Sequence, residues 1–184
     1  AASGLVSAYL RAGDGDAALD YLRRELGRAG ADRTALNLSR ASVLEYLDRQ
    51  PEAIASYEAV LRDSPDNVNA LNNLANLLSS SNSSRARTLA ARAFELRPDD
   101  PRIADTYGWI LAADESSRAQ ALQLLSGAVR ALPEEPTIQL HYGIVLAKAG
   151  ELNRAVSAFE AVLAHAPATS PEAREANLLL SRMR

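Results

Sequence analysis

The sequence predicts an all-α protein built from repeated pairs of helices, and three observations support this. The chain of 184 residues is 47% hydrophobic but only 5% aromatic, and its commonest residues are alanine and leucine, which favours closely packed helices over strands. Proline-marked turns recur about every 34 residues, a spacing typical of stacked helical repeats. A small residue recurs with the same period. The prolines are Pro65, Pro98, Pro133 and Pro167, and the small residues are Ala18, Ala53, Ala86, Ala121 and Ala155.

The period divides the chain into five units and one further helix. The units are predicted at about residues 1–32, 33–66, 67–100, 101–135 and 136–169, and a capping helix at 170–184. Each unit holds two helices of roughly 12 to 15 residues around a short turn, and the proline ends the second helix because it cannot continue the helical hydrogen bonds. We therefore expect one repeat array. Since nothing shields the outer face of the first unit, we expect this array to be the C-terminal part of a longer chain.

The units differ in their turns. Unit one has the turn GDGD, which lacks the twelve-residue ligand ladder of a calcium loop, and unit two has Arg40 where an apolar residue is usual. Unit three has SSSNSS in place of a regular turn, and unit four is one residue longer at AADESSRAQ. In unit five we predict that Gly150 takes a positive φ and ends the first helix.

The packing within a unit is clearest in unit five. The small residues Gly143 and Ala155 are predicted to let the two helices approach closely, while larger side chains fill the space beside them. After this unit, the capping helix has alanine, leucine and methionine on one side and charged residues on another, which suits the end of a repeat array. The larger side chains are Tyr142, Leu146 and Phe159, and the apolar side of the capping helix holds Ala173, Ala176, Leu180 and Met183.

The fifth unit, IQLHYGIVLAKAGELNRAVSAFEAVLAHAP, resembles a tetratricopeptide repeat. Its residues at the signature positions of that family are Tyr142, Gly143, Leu146, Gly150, Ala155, Phe159 and Pro167. The resemblance implies a right-handed α-solenoid in which the first helix of each unit lines the concave side. Units three to five are also similar to the C-terminal repeats of bacterial exosortase- or exopolysaccharide-associated lipoproteins. That second resemblance implies a periplasmic or envelope location and a role in surface-protein sorting or polysaccharide export; the alternative, without that resemblance, is a cytoplasmic location.

Charge and residue types argue against several functions. With 23 acidic and 20 basic residues the net charge is −3, so the chain has no basic surplus for a nucleic-acid backbone. It has no cysteine, and its two histidines, His141 and His165, lie on different predicted helices; we therefore predict no metal site and no cofactor. No serine lies in a nucleophile elbow, and we expect no enzymatic activity. No apolar run is long enough to insert into a membrane.

Asparagines form the most informative local pattern. Asparagine is a poor helix former, yet NVNALNNLANLL holds five of them, and an amide can pair with both the N–H and the C=O of a peptide. The segment LNNLAN resembles a repeat of the O-linked N-acetylglucosamine transferases, which implies that Asn73 and Asn76 hold peptide backbone. The alternative is that Asn67 and Asn69 cap the helix and the others are solvated.

Trp109, the only tryptophan, leaves two alternatives open. It follows Gly108 on a first helix and either stacks on a ligand in the groove or packs between adjacent first helices as part of the core. The clamp with which chaperone-binding repeats hold a C-terminal carboxylate is not expected, because Asn72, Asp105 and Thr106 stand in the places of its basic residues.

The leading hypothesis is a non-catalytic scaffold that binds an extended peptide or a partner protein in the concave groove. One alternative is a structural segment that packs against the rest of its own chain or self-associates, although we favour a monomer. Another is an accessory module of an enzyme. The candidate binding residues are Tyr46, Asn72, Asn73, Asn76, Asp105, Trp109, Leu140 and Ile144.

Overall fold

A computed structural model describes residues 2–183, which form eleven α-helices and one short 3₁₀-helix. Arg184 of the predicted capping helix lies outside the described residues. The 3₁₀-helix, Glu115–Ser117, occupies the longer turn of unit four. The α-helices are α1 Ala2–Arg11, α2 Gly15–Leu26, α3 Arg33–Tyr46, α4 Gln50–Asp63, α5 Val68–Leu78, α6 Ser83–Leu96, α7 Pro101–Leu111, α8 Arg118–Ala131, α9 Pro136–Lys148, α10 Leu152–His165 and α11 Pro171–Met183.

The helices pack in the order of the chain. Each helix contacts the next one, and three pairs of neighbouring first helices also contact each other: α1 with α3, α5 with α7, and α7 with α9. Within residues 2–183 no contact of similar extent joins successive second helices. The odd-numbered helices are therefore closer together than the even-numbered ones, so they line the inner side of a curved array. We call the surface that α3, α5, α7 and α9 present to the inside of this curve, away from the second helices, the concave face.

Short polar side chains start several helices. Asp14, Asp32, Asn67, Asn82 and Asp100 each accept a hydrogen bond from a backbone N–H in the first turn of the following helix. Such caps satisfy amides that have no partner within the helix. None of the helices in the described part of the chain is both long and apolar enough to cross a membrane.

Small residues bring the helices of a pair together, as the sequence predicts. A Cβ atom built on Gly143 of α9 would lie 2.5 Å from Cε1 of Phe159, whose side chain is fully buried on α10. A Cβ on Gly108 of α7 would lie 3.0 Å from Cγ of Leu125 and 3.2 Å from the carbonyl oxygen of Ala121. Both glycines therefore allow closer packing than alanine would.

The turn after the first helix uses a left-handed residue in units one, two and five. Gly13 has φ 74°, Asp48 has φ 55° and Gly150 has φ 81°, and each stands two residues beyond the end of its helix. The prediction for Gly150 is confirmed. Asp48 takes a conformation in which a Cβ atom is unfavourable.

We expect Gly150→Ala to lower the free energy of unfolding by about 1 kcal/mol, because an L residue is disfavoured at this φ. A Cβ at this position would meet no atom within 4 Å, so the backbone conformation accounts for the whole effect. Asp48→Gly is the reversed control and should leave stability unchanged or increase it. Urea unfolding monitored by circular dichroism measures both, and an equally stable Gly150→Ala variant would contradict the assignment.

Candidate functional site

The structure places every candidate residue on a first helix, but with different exposure. Tyr46 on α3 is 66% exposed, and Asn76 on α5 is also exposed. Half-buried side chains are Asn72 and Asn73 on α5, Trp109 on α7 and Ile144 on α9. Asp105 and Leu140 are only 6% and 5% exposed.

Leu140 corrects one expectation from the sequence. It belongs to the same core cluster as Leu146 and Phe159 of its own unit and as Ala176 and Leu180 of α11. The capping helix packs on α9 and so shares in burying this side chain. The prediction that Leu140 forms part of an apolar groove surface is therefore wrong, whereas Ile144 keeps part of its side chain accessible.

A hydrogen-bond network joins α3, α4 and α5 at the concave face. The Tyr57 hydroxyl donates to Oε1 of Glu45 and accepts from Nδ2 of Asn73 at 2.9 Å. Tyr57 is fully buried, and its pKa is raised above the ordinary value, first by burial and then by the hydrogen bond to Glu45. The amide of Asn73 is thus already engaged within the protein.

The other asparagines divide between structure and surface. Asn67 caps α5, accepting from the backbone N–H of Ala70, so the capping alternative is confirmed for this residue, whereas Asn69 lies inside α5 and is exposed. Nδ2 of Asn72 donates weakly to Asn73 at 3.4 Å, and Oδ1 of Asn72 has no hydrogen-bond partner within residues 2–183. The Asn72 oxygen is sealed from solvent, and an unpaired buried acceptor costs about 1–3 kcal/mol. Asn76 is the candidate asparagine whose amide faces solvent.

Trp109 stacks against a histidine of the next unit. Its ring lies 4.3 Å from the ring of His141, centroid to centroid, at an interplanar angle of 14°. Nδ1 of His141 lies 3.0 Å from each carboxylate oxygen of Asp105, which stands one helical turn before Trp109 on α7. This observation favours the second alternative for Trp109, packing between first helices, although the ring remains half-buried and partly accessible.

Sequence reasoning missed this group of three side chains. Asp105 and His141 are 36 residues apart, close to one repeat length, so they occupy neighbouring positions on adjacent first helices. Aligning the units with one another would have brought the two residues together.

A small cleft lies beside Trp109 at the C-terminal ends of α5, α7 and α9. It encloses about 200 Å³, and Nζ of Lys148 lies 5.8 Å from the centroid of the Trp109 ring. The other lining residues are Ser79, Ser80, Ile110, Ala112 and Ala113. Across the described part of the chain, no group of three or more His, Asp and Glu side chains is arranged to hold a metal ion.

The fold and this surface define a helical-repeat scaffold. The Tetratricopeptide repeat family model matches residues 3–67, 38–101, 108–168 and 143–183, and the chain therefore belongs to the tetratricopeptide-repeat family. Proteins of this family are generally non-catalytic scaffolds for protein or peptide partners. The comparison with curated proteins found no match.

Solved structures share the fold at low sequence identity. The thermophilic protein TTC0263 of Thermus thermophilus superposes with a TM-score of 0.73 at 18% identity, over 100% of this chain and 98% of that one. MamA from Desulfovibrio magneticus RS-1 gives 0.72 at 20% identity, over 88% and 91%. YrrB, described as a tetratricopeptide-repeat protein with an unusual peptide-binding site, gives 0.64 at 18% identity, over 95% and 89%. These likenesses confirm the α-solenoid fold.

Proposed function

We propose that this chain is a non-catalytic scaffold, formed by a single five-unit array, that binds an extended peptide segment of a partner protein along its concave face. The observation that carries the proposal is that an exposed amide, Asn76 on α5, stands one repeat before a partly accessible tryptophan, Trp109, whose ring is held against His141. Asn76 is exposed, whereas the unpaired carbonyl oxygen of Asn72 is sealed from solvent. The Asn76 amide can pair with peptide backbone, while the Trp109 ring offers apolar surface.

The repeat spacing suits an extended chain. Asn76, Trp109 and Ile144 are 33 and 35 residues apart and hold equivalent positions on α5, α7 and α9. Packed helices lie about 8–10 Å apart, and an extended chain rises about 3.3 Å per residue. One step from first helix to first helix therefore corresponds to about three peptide residues. Because side chains of an extended peptide alternate between its two sides, peptide side chains that point toward the protein recur at every second step.

Two further considerations narrow the search for a partner. A peptide-binding site is part of the description of YrrB, and its fold is shared here. The resemblance of units three to five to envelope lipoprotein repeats directs the search first to proteins of bacterial surface sorting and polysaccharide export.

The test is to select 12-residue peptides from a displayed random library on the wild-type chain and to measure their affinity by fluorescence anisotropy. We expect Asn76→Ala and Trp109→Ala each to weaken binding at least about fivefold, because we place both among the few central recognition residues whose truncation costs more than about 1 kcal/mol. Asn177→Ala, at an exposed position on α11, is the matched control and should bind as the wild type does.

Unchanged affinity in both groove variants, with unchanged melting temperatures, would exclude this surface as the binding site. Sedimentation of the same proteins separates the alternatives. If the wild type forms a dimer that Asn76→Ala dissociates, a second copy fills the groove, and the proposal of a foreign peptide fails.

A further inference from the structure

We infer that His141 is a hydrogen-bond acceptor for the backbone N–H of the bound peptide, and that Asp105 is the positioning residue that sets it in that state. The inference rests on the proposed function and adds a specific subsite to it. It concerns Nε2 of His141, the ring nitrogen that faces away from Asp105.

The carboxylate determines which nitrogen carries the hydrogen. An ionised carboxylate can only accept hydrogen bonds, and both oxygens of Asp105 lie 3.0 Å from Nδ1 of His141. In the neutral ring, Nδ1 therefore carries the hydrogen and Nε2 carries a lone pair. The pair is well shielded, since the side chains of His141 and Asp105 are 18% and 9% exposed.

The second nitrogen is available. Nε2 makes no hydrogen bond within the described residues. It is also not one of the unpaired side-chain atoms that are buried away from solvent. The stack on Trp109 and the bond to Asp105 hold the ring in two directions. An acceptor oriented in this way loses little entropy when a donor arrives.

The position of His141 suits a backbone donor. It lies one turn before Ile144 on α9 and reaches across to α7, so its ring stands between two steps of the row formed by Asn76, Trp109 and Ile144. A peptide that follows this row can place a side chain on the indole while a nearby backbone N–H meets Nε2. The asparagines on α5 can both donate and accept, whereas neutral His141 can only accept at this nitrogen.

The experiment is an N-methyl scan of the selected peptide against two forms of the protein. On the wild type, we expect methylation of one backbone nitrogen near the residue that contacts Trp109 to weaken binding about fivefold or more, because it removes the donor. On His141→Phe, which keeps an aromatic ring for Trp109, the same methylation should change affinity less than about twofold. Asn76→Ala should keep the full effect of that methylation.

A second variant is a control for misfolding, because His141→Phe leaves the Asp105 carboxylate without its hydrogen-bond partner. Asp105→Leu combined with His141→Phe removes both partners and should show the same loss of methylation sensitivity. If every methylation that weakens binding to the wild type weakens binding to both variants equally, His141 is not the acceptor. If no peptide binds the wild type at all, both the proposed function and this inference are wrong.

The tautomer is tested without a peptide. The chain has only two histidines, so ring ¹⁵N spectra resolve them, and exposed His165 serves as the internal reference. We expect His141 to show the Nδ1–H form in the wild type and a mixture in Asp105→Asn, whose amide can either accept or donate, while His165 stays unchanged. An Nε2–H pattern for His141 in the wild type would overturn the inference even if peptides bind.

Discussion

Gly143→Leu is expected to destabilise the fold by about 3 kcal/mol, at the upper end of the usual cost of overpacking a core. Even the first added carbon would lie 2.5 Å from Cε1 and 2.8 Å from Cδ1 of Phe159. That ring is fully buried among Leu146, Val162 and Ala176, so it cannot turn away without displacing the contact between α9 and α10. Urea unfolding followed by circular dichroism measures the change as a lower midpoint.

Gly127→Leu is the matched control, since Gly127 also lies inside a helix. A Cβ there would meet only Nη2 of Arg130, at 3.9 Å. Removing a glycine from a helix interior stabilises by about 0.5–1 kcal/mol, so this variant should be as stable as the wild type or more so. Equal destabilisation of both variants would show that general helix effects, and not the contact with Phe159, determine the result.

Tyr57→Phe is expected to cost about 2 kcal/mol. The phenol hydroxyl joins Glu45 on α3 to Asn73 on α5, and its removal leaves both partners short of a hydrogen bond in a half-buried setting. Tyr107→Phe is the control, because Tyr107 packs its ring 5.6 Å from that of Phe94 and its hydroxyl makes no side-chain hydrogen bond within residues 2–183. Tyr107→Phe should change the free energy of unfolding by no more than about 0.5 kcal/mol. An equal loss of stability in both variants would show that the hydrogen-bond network does not stabilise the fold.

The same tyrosine gives a pH dependence at the alkaline end. Burial and the bond to Glu45 raise the pKa of Tyr57 above its ordinary value. In the unfolded chain the phenol loses its proton from about pH 10, whereas the folded state keeps it, so rising pH favours unfolding. Between pH 9 and 11 the wild type should lose more stability than Tyr57→Phe. Parallel curves would contradict the raised pKa.

The sequence predicted the repeat architecture well because its signals are local. The period of small residues and prolines reports contacts within one helix pair, and the contact between Gly143 and Phe159 follows directly from it. The left-handed turn at Gly150 has the same origin. Such features depend on neighbouring turns of chain and need no knowledge of how units stack.

What the sequence could not predict depends on contacts between units. Leu140 shares a core cluster with α11 residues, and Asp105 is occupied by His141 from the next unit. The sequence left two alternatives open for Trp109, because its position on the first helix is the same whether the ring stacks on His141 or binds a ligand. Asn73 was taken for a ligand residue, but its amide bonds to Tyr57 of the preceding unit; its role in binding stays a prediction.

If the concave face binds the peptide, a bulky group attached to that face should prevent binding. The chain has no cysteine, so Asn76→Cys and Thr88→Cys each provide a single site for a bulky maleimide. Both positions are exposed, the first on α5 and the second on α6 of the same unit. We expect the modified Asn76→Cys protein to lose binding of the selected peptide while the modified Thr88→Cys protein retains wild-type affinity. Retained binding after modification at position 76, or its loss only after modification at position 88, would show that the peptide does not bind the concave face.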